Sequence, residues 1–174
     1  MTLSGKNSEE QSSELQQNME MLRQIYFFSG LPLETLKLFA YLCTREKFKA
    51  GEYLFQQGED DGQAFYIIEG KASLERQDNG KTATIREYAA GDFVGGLTLL
   101  SDMHRIYLLK SVADTTCLIL NREKFAKVME QFPEAMPKVF KAVAQNINNW
   151  EERFLSNRGD QCGDCMGQLG VSLI

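Results

Sequence analysis

The spacing of apolar positions changes twice along the chain. Leu15, Met19, Leu22 and Tyr26 fall on one helical face, with Gln, Asn and Arg between them, which predicts a helix beginning at Glu14. Gly30 ends that segment and Pro32 opens a second helix, whose inner face carries Leu36, Phe39, Ala40 and Cys43. From Thr44 the period shortens to about two. Strands are expected at Thr44–Lys49, Tyr53–Gln56, Ala64–Glu69, Lys71–Gln77, Lys81–Tyr88, from Ile106 onward and at Thr115–Leu120. After Asn121, a good helix N-cap, the helical period returns with Phe125, Val128, Met129 and Phe132. Beyond Pro133 it continues through Met136, Val139, Phe140, Val143, Ala144, Ile147, Trp150 and Phe154.

Glycine-bearing turns separate the short strands, and Asp78-Asn79-Gly80 is a strong hairpin signal. Its return strand places Ala83 and Ile85 opposite Thr82 and Thr84, the alternation of a half-buried sheet face. Such spacing points to an antiparallel sandwich, barrel or jelly roll, and no helices alternate with the strands to make a parallel sheet. Residues 1–13 are polar and are expected to be disordered, leaving one domain over 14–155 and a tail over 156–174 that loses periodicity.

Composition narrows the function classes. The chain has 174 residues, 43% hydrophobic and 25% charged, enough for one real core. Its 24 acidic and 19 basic residues give a net charge of −5, which argues against a nucleic-acid-binding surface. No apolar stretch has membrane-spanning length and the N-terminus lacks signal or transit character, so a cytoplasmic location and reduced thiols are the expectation.

The chemistry concentrates between Ala90 and Val112. Gly95 and Gly96 open a short apolar turn whose first backbone N–H groups make a seat for an anion. Arg105 follows a small polar loop and could share one phosphate with that seat through two parallel hydrogen bonds. The alternative is a solvated loop arginine and glycines that only turn corners.

This stretch resembles the phosphate-binding cassette of cyclic nucleotide-binding domains, which reads roughly Phe-Gly-Glu-x-Ala-Leu, a spacer, then Pro-Arg-Ala-Ala-Thr. Val94-Gly95-Gly96-Leu97-Thr98-Leu99 lies on its first half and His104-Arg105-Ile106-Tyr107-Leu108 on its second. Ala50-Gly51-Glu52-Tyr53-Leu54-Phe55, Ala64 through Ala72, Gly91-Asp92-Phe93 and Asn121 through Phe125 resemble other landmarks of the family. The resemblance spans about Tyr26 to Ile147. It implies a mainly β domain with flanking helices, an antiparallel double-stranded β-helix (jelly roll). It also implies ligand-binding roles for Gly95, Gly96, Leu97, Arg105 and Ile106, with cyclic AMP, cyclic GMP or another phosphate-bearing ligand as occupant. Two departures imply weak or lost binding of cyclic nucleotides. Gly96 stands where the family's Glu holds the ribose 2′-hydroxyl, and Ile106 stands where a small residue lets a backbone N–H approach the phosphate.

No enzyme motif is present, and His104 has no acid–nucleophile pattern around it, so no catalysis and no metal are expected. Cys162-Gly163-Asp164-Cys165 can close a disulfide, give half of a metal site that two tails would share across a dimer, or be an incidental thiol pair on a flexible tail, the favoured reading. A transcription factor with its own DNA reader is not expected, since no second globular core follows the last helix in this sequence. That helix's long stripe is expected either to pack on its own domain or to contact a partner. Relatives that end in such a helix imply a homodimer through it, and the stripe places Val143, Ile147 and Trp150 in the expected interface. Two functions follow: a small-ligand regulatory sensor, or an interaction scaffold whose cassette is packed shut by Ile106, Tyr107 and Leu108.

Overall fold

The computed structural model describes residues 3–157. Two helices, α1 (Leu3–Gln24) and α2 (Leu33–Leu42), precede eight strands: β1 (Thr44–Phe48), β2 (Tyr53–Phe55), β3 (Gln63–Glu69), β4 (Lys71–Asp78), β5 (Lys81–Ala89), β6 (Phe93–Val94), β7 (Leu108–Ser111) and β8 (Thr115–Asn121). Helices α3 (Arg122–Gln131) and α4 (Met136–Asn157) follow. Short 3₁₀ turns lie at Tyr26–Phe28, Gly96–Leu99 and Pro133–Ala135. Helix α1 therefore starts at Leu3, eleven residues before the expected Glu14 and inside the segment read as disordered. The backbone gains helical hydrogen bonds there although the sequence offers no apolar stripe to bury.

The strands form two four-stranded antiparallel sheets, ordered β1-β8-β3-β6 and β2-β7-β4-β5. This is the jelly-roll architecture with flanking helices that the family resemblance implied, and one of the three that the turn spacing left open. Phe55, Phe65, Ile67, Leu74, Leu109 and Ile119 fill the space between the sheets. The helices cover the outer face of the first sheet, where Tyr66, Leu118 and Leu120 meet Phe27, Phe39 and Val128. Strands β3 and β8 are thus covered on both faces, which explains why each reads as a nearly unbroken apolar run.

Strand β5 departs from the half-buried reading. It pairs only with β4, and Ala83 and Ile85 are exposed, Ile85 by 52%. Among the described residues this end of the sheet is exposed on both faces, so alternation has no core to face. The hairpin itself forms as expected, with Asn79 and Gly80 at φ of 51° and 75° between the paired Asp78 and Lys81.

Rings tie the helices to the cassette. Phe27 lies 5.8 Å from both Phe93, just before the cassette, and Phe125 of α3, and Phe39 stacks on Phe125 at 5.5 Å. Asn121 caps α3 by accepting the Lys124 N–H at 2.9 Å. On α4, Val139 and Val143 pack into the helix-side core, whereas Phe140, Ile147 and Trp150 are 56%, 42% and 56% exposed. Val143 is half-buried against the domain's own core, one turn before Ile147 on the same stripe. The Cys162–Cys165 pair lies outside the described residues. Among those residues no helix is long and apolar enough to cross a membrane, and no metal-ligating cluster occurs.

Candidate functional site

The cassette is built on β6 and the turn after it. Gly95 holds φ at +87°, a left-handed conformation that a side chain would strain. A Cβ there would also sit 2.8 Å from Arg105 Nη1 and 2.8 Å from the Gln63 carbonyl. Gly95 is thus required both by the turn and by the approach of the arginine. The 3₁₀ turn that follows leaves the Gly96 and Leu97 N–H groups without intrahelical acceptors. Thr98 fastens the turn, its hydroxyl 2.9 Å from the Gln63 carbonyl and 2.7 Å from that of Gly95.

Arg105 is buried, 7% exposed. Its Nε donates to Asp61 Oδ1 at 2.8 Å and its Nη2 to Asp61 Oδ2 at 3.0 Å. Nη2 also donates to the Gln63 carbonyl, and the guanidinium lies 3.9 Å from the Phe55 ring centroid. Two backbone bonds, Arg105 N–H to Glu59 O and Gly58 N–H to Arg105 O, both 2.7 Å, fix it beside the acidic turn. The solvated-loop alternative is excluded by this burial. The bidentate contact uses two nitrogens and leaves Nη1 against the cassette glycine.

A second arginine braces the same loop. Arg122, the first residue of α3, donates from Nε to the Thr98 carbonyl at 2.6 Å, from Nη2 to Asp60 at 2.5 Å and from Nη1 to Asp102 at 2.5 Å. The hydrogen bond from Arg122 holds the Asp60 carboxyl below the usual carboxylate range, and Asp60 in turn raises the guanidinium's proton affinity.

A cavity of about 670 Å³ opens over the cassette. Gly95, Gly96, Leu97, Arg105 and Ile106 all line it, so the structure brings together every expected ligand-binding residue. The cassette is not packed shut. Leu108 is buried and Tyr107 leans on the core between the sheets, but Ile106 is 60% exposed at the cavity wall. Gly96 is not an open vacancy either. A Cβ there would meet Phe93 Cε1 at 2.8 Å and Phe27 Cδ2 at 3.0 Å.

Several lining residues escaped the sequence reading. Tyr26, Arg86, Tyr88 and Arg153 reach the cavity from the first 3₁₀ turn, from β5 and from α4. Burial pushes the Tyr26 and Tyr88 hydroxyls up in pKa. Asp61 was visible only as one member of an acidic turn, 44 residues from its partner.

An antiparallel roll flanked by helices, with a glycine turn and a buried arginine at one cavity, is the arrangement of a cyclic nucleotide-binding-type fold. The sequence profile of the cyclic nucleotide-binding domain family matches residues 45–132, just over half of the chain, and the chain belongs to that family. Among its relatives, cGMP-dependent protein kinase 2 of Homo sapiens is 23% identical over 141 residues, covering 79% of this chain and 18% of the kinase. The cAMP-dependent protein kinase regulatory subunit of Emericella nidulans is 32% identical over 109 residues, 62% of this chain and 26% of the subunit. The chain thus spans about a quarter or less of the length of these relatives. A cyclic nucleotide-binding domain from Methylobacillus flagellatus shares the fold, with a TM-score of 0.68, 16% identity, and coverage of 86% of this chain and 85% of that one.

Proposed function

We propose that this chain is a regulatory, non-enzymatic domain, acting inside the cell, that binds a phosphate-bearing small ligand in the cassette cavity and binds cyclic nucleotides weakly. The observation that carries the reading is Arg105, oriented by Asp61 into the wall of an open cavity beside the Gly96 and Leu97 N–H groups. A phosphate oxygen there would meet one guanidinium nitrogen and the turn N–H groups, a charged hydrogen-bonding seat.

Ribose recognition is what the site lacks. No carboxylate stands at position 96, and Phe93 and Phe27 occupy the space a side chain would use. Gln24, Tyr26, Asn146 and Arg153 bring the α1 end and α4 to the same cavity, so an occupant would bias the helices that flank the roll. A homodimer through the exposed face of α4 completes the reading.

Titration calorimetry with cyclic AMP and cyclic GMP tests it. Both are expected to bind with dissociation constants weaker than about 1 µM, and Arg105→Lys is expected to abolish the binding. Sub-micromolar binding, or binding indifferent to Arg105→Lys in a variant shown to be folded, overturns the reading.

A further inference from the structure

Two charged side chains of the cavity meet no phosphate in that reading. Arg86 comes from β5 and Arg153 from α4, and both line the cavity that the cassette lines. The Arg86 guanidinium lies 4.7 Å from the Tyr88 ring centroid. Its contact with Asp92 is long, 3.8 Å, with the side chain 61% exposed. Asp92 is meanwhile engaged in its own turn, Oδ2 accepting the Ala89 N–H at 2.8 Å. Arg153 makes no ion pair among the described residues.

Arg105, by contrast, is matched charge for charge by Asp61 at 2.8 and 3.0 Å. Outside the cassette the cavity thus carries two guanidinium groups, Arg86 and Arg153, against one carboxylate, Asp92, which holds Arg86 only at 3.8 Å, so net positive charge remains there. It is a local feature, because the chain as a whole carries −5. A cyclic phosphodiester has a single negative charge. If that charge sits at the cassette, nothing remains for these two guanidinium groups, which bind phosphate well and are stabilised by it.

We infer that the cavity takes a small ligand with more than one anionic group, of the nucleoside diphosphate or triphosphate class, with one phosphate at the cassette and another on Arg86 and Arg153. The inference rests on the cassette reading above. The volume of about 670 Å³ lies in the ordinary range for small-molecule sites. Tyr26, Tyr88 and Phe93 supply ring surface against which a base can stack. The absence of a ribose-holding carboxylate at Gly96 costs such a ligand little, because its second phosphate supplies the lost anchoring.

Calorimetric titration of the full chain with ADP and with cyclic AMP, in magnesium-free buffer at constant ionic strength, is the test. Wild type is expected to bind ADP at least about tenfold more tightly than cyclic AMP, the effect of one charged hydrogen-bonded contact. Arg153→Gln and Arg86→Gln should each weaken ADP about tenfold while moving cyclic AMP by no more than about twofold. ADP no tighter than cyclic AMP, with both ligands dependent on Arg105, overturns this inference and leaves the cassette reading standing. Equal weakening of both ligands by the two Gln variants also overturns it, since that would be a general charge effect. Absence of binding by either ligand overturns both readings.

Discussion

Asp61 receives Arg105 in a two-point contact, Nε to Oδ1 at 2.8 Å and Nη2 to Oδ2 at 3.0 Å, with side-chain exposures of 15% and 6%. Such burial makes the pair sensitive to the loss of one partner. Asp61→Ala would leave a guanidinium buried under Phe55 with only the Gln63 carbonyl to accept from it. A destabilisation of about 3 kcal/mol is expected by urea unfolding, in the range for breaking a buried pair. The exposed Arg76–Asp78 pair is the control, and Asp78→Ala should cost well under about 1 kcal/mol. Equal costs for the two variants would remove the structural role given to Asp61.

Gly96 yields a prediction that the sequence alone inverts. Restoring the family's carboxylate by Gly96→Glu looks like a route to tighter cyclic nucleotide binding. The structure instead puts a Cβ at that position 2.8 Å from Phe93 and 3.0 Å from Phe27. Overpacking of this kind costs about 1–3 kcal/mol. Gly96→Glu should therefore lower the melting temperature and fail to improve cyclic AMP affinity. Adding Phe93→Leu should recover part of both. Tighter binding by the single variant at unchanged stability would contradict the aromatic blockade.

Asp60 sets an acid-side pH dependence. Its hydrogen bond from Arg122 lowers its pKa in the folded state. The stabilisation is thus present above the ordinary carboxylate pKa, near 4, and is lost as pH falls through the lower folded value. Melting curves of wild type and Asp60→Asn between about pH 2 and 7 should differ at neutral pH and converge in acid. Parallel curves would show that the Asp60–Arg122 contact carries no such linkage.

Much of the fold was legible in local chemistry, and most of what was missed depended on contacts distant in sequence. The Asn121 cap, the Asn79-Gly80 turn and the double-faced strands β3 and β8 follow from short-range rules. The Arg105–Asp61 pair joins residues 44 positions apart, and only the sheet topology sets them side by side. Strand β5 shows the opposite failure. Its alternation is real, but alternation reports burial only where a second layer exists. The half-burial of Val143 against the helix-side core was not legible either, since a stripe does not say how far along it the roll reaches.

The two described cysteines should be chemically silent in the folded protein. Cys117 is fully buried, Cys43 packs on the helix-side core, and burial pushes both thiols up to about 12. In a Cys162→Ser, Cys165→Ser background, a thiol reagent at about pH 8 should label neither until the chain is unfolded. Rapid labelling of the native protein would mean that these elements open readily.

The exposed face of α4 supports the last prediction. Phe140, Ile147 and Trp150 recur at seven and three residues, so they share one face, and they are 56%, 42% and 56% exposed. Val139 and Val143, earlier on the same stripe, meet the domain's own core, so the stripe runs from the roll out toward solvent. A second copy of α4 is the occupant that our reading assigns to that face. A twofold pairing lets the same patch serve both partners, and large apolar residues at its centre would dominate the interface energy. Ile147→Asp with Trp150→Glu should then give a monomer whose circular dichroism and melting temperature are those of a folded roll, because neither residue is in the core. Val143→Asp, in contrast, should destabilise the fold itself. Sedimentation velocity of wild type at tens of micromolar, beside the double variant, is the measurement. A wild-type monomer at that concentration would sink the dimer, and a dimer that survives the double variant would place its interface elsewhere on the chain.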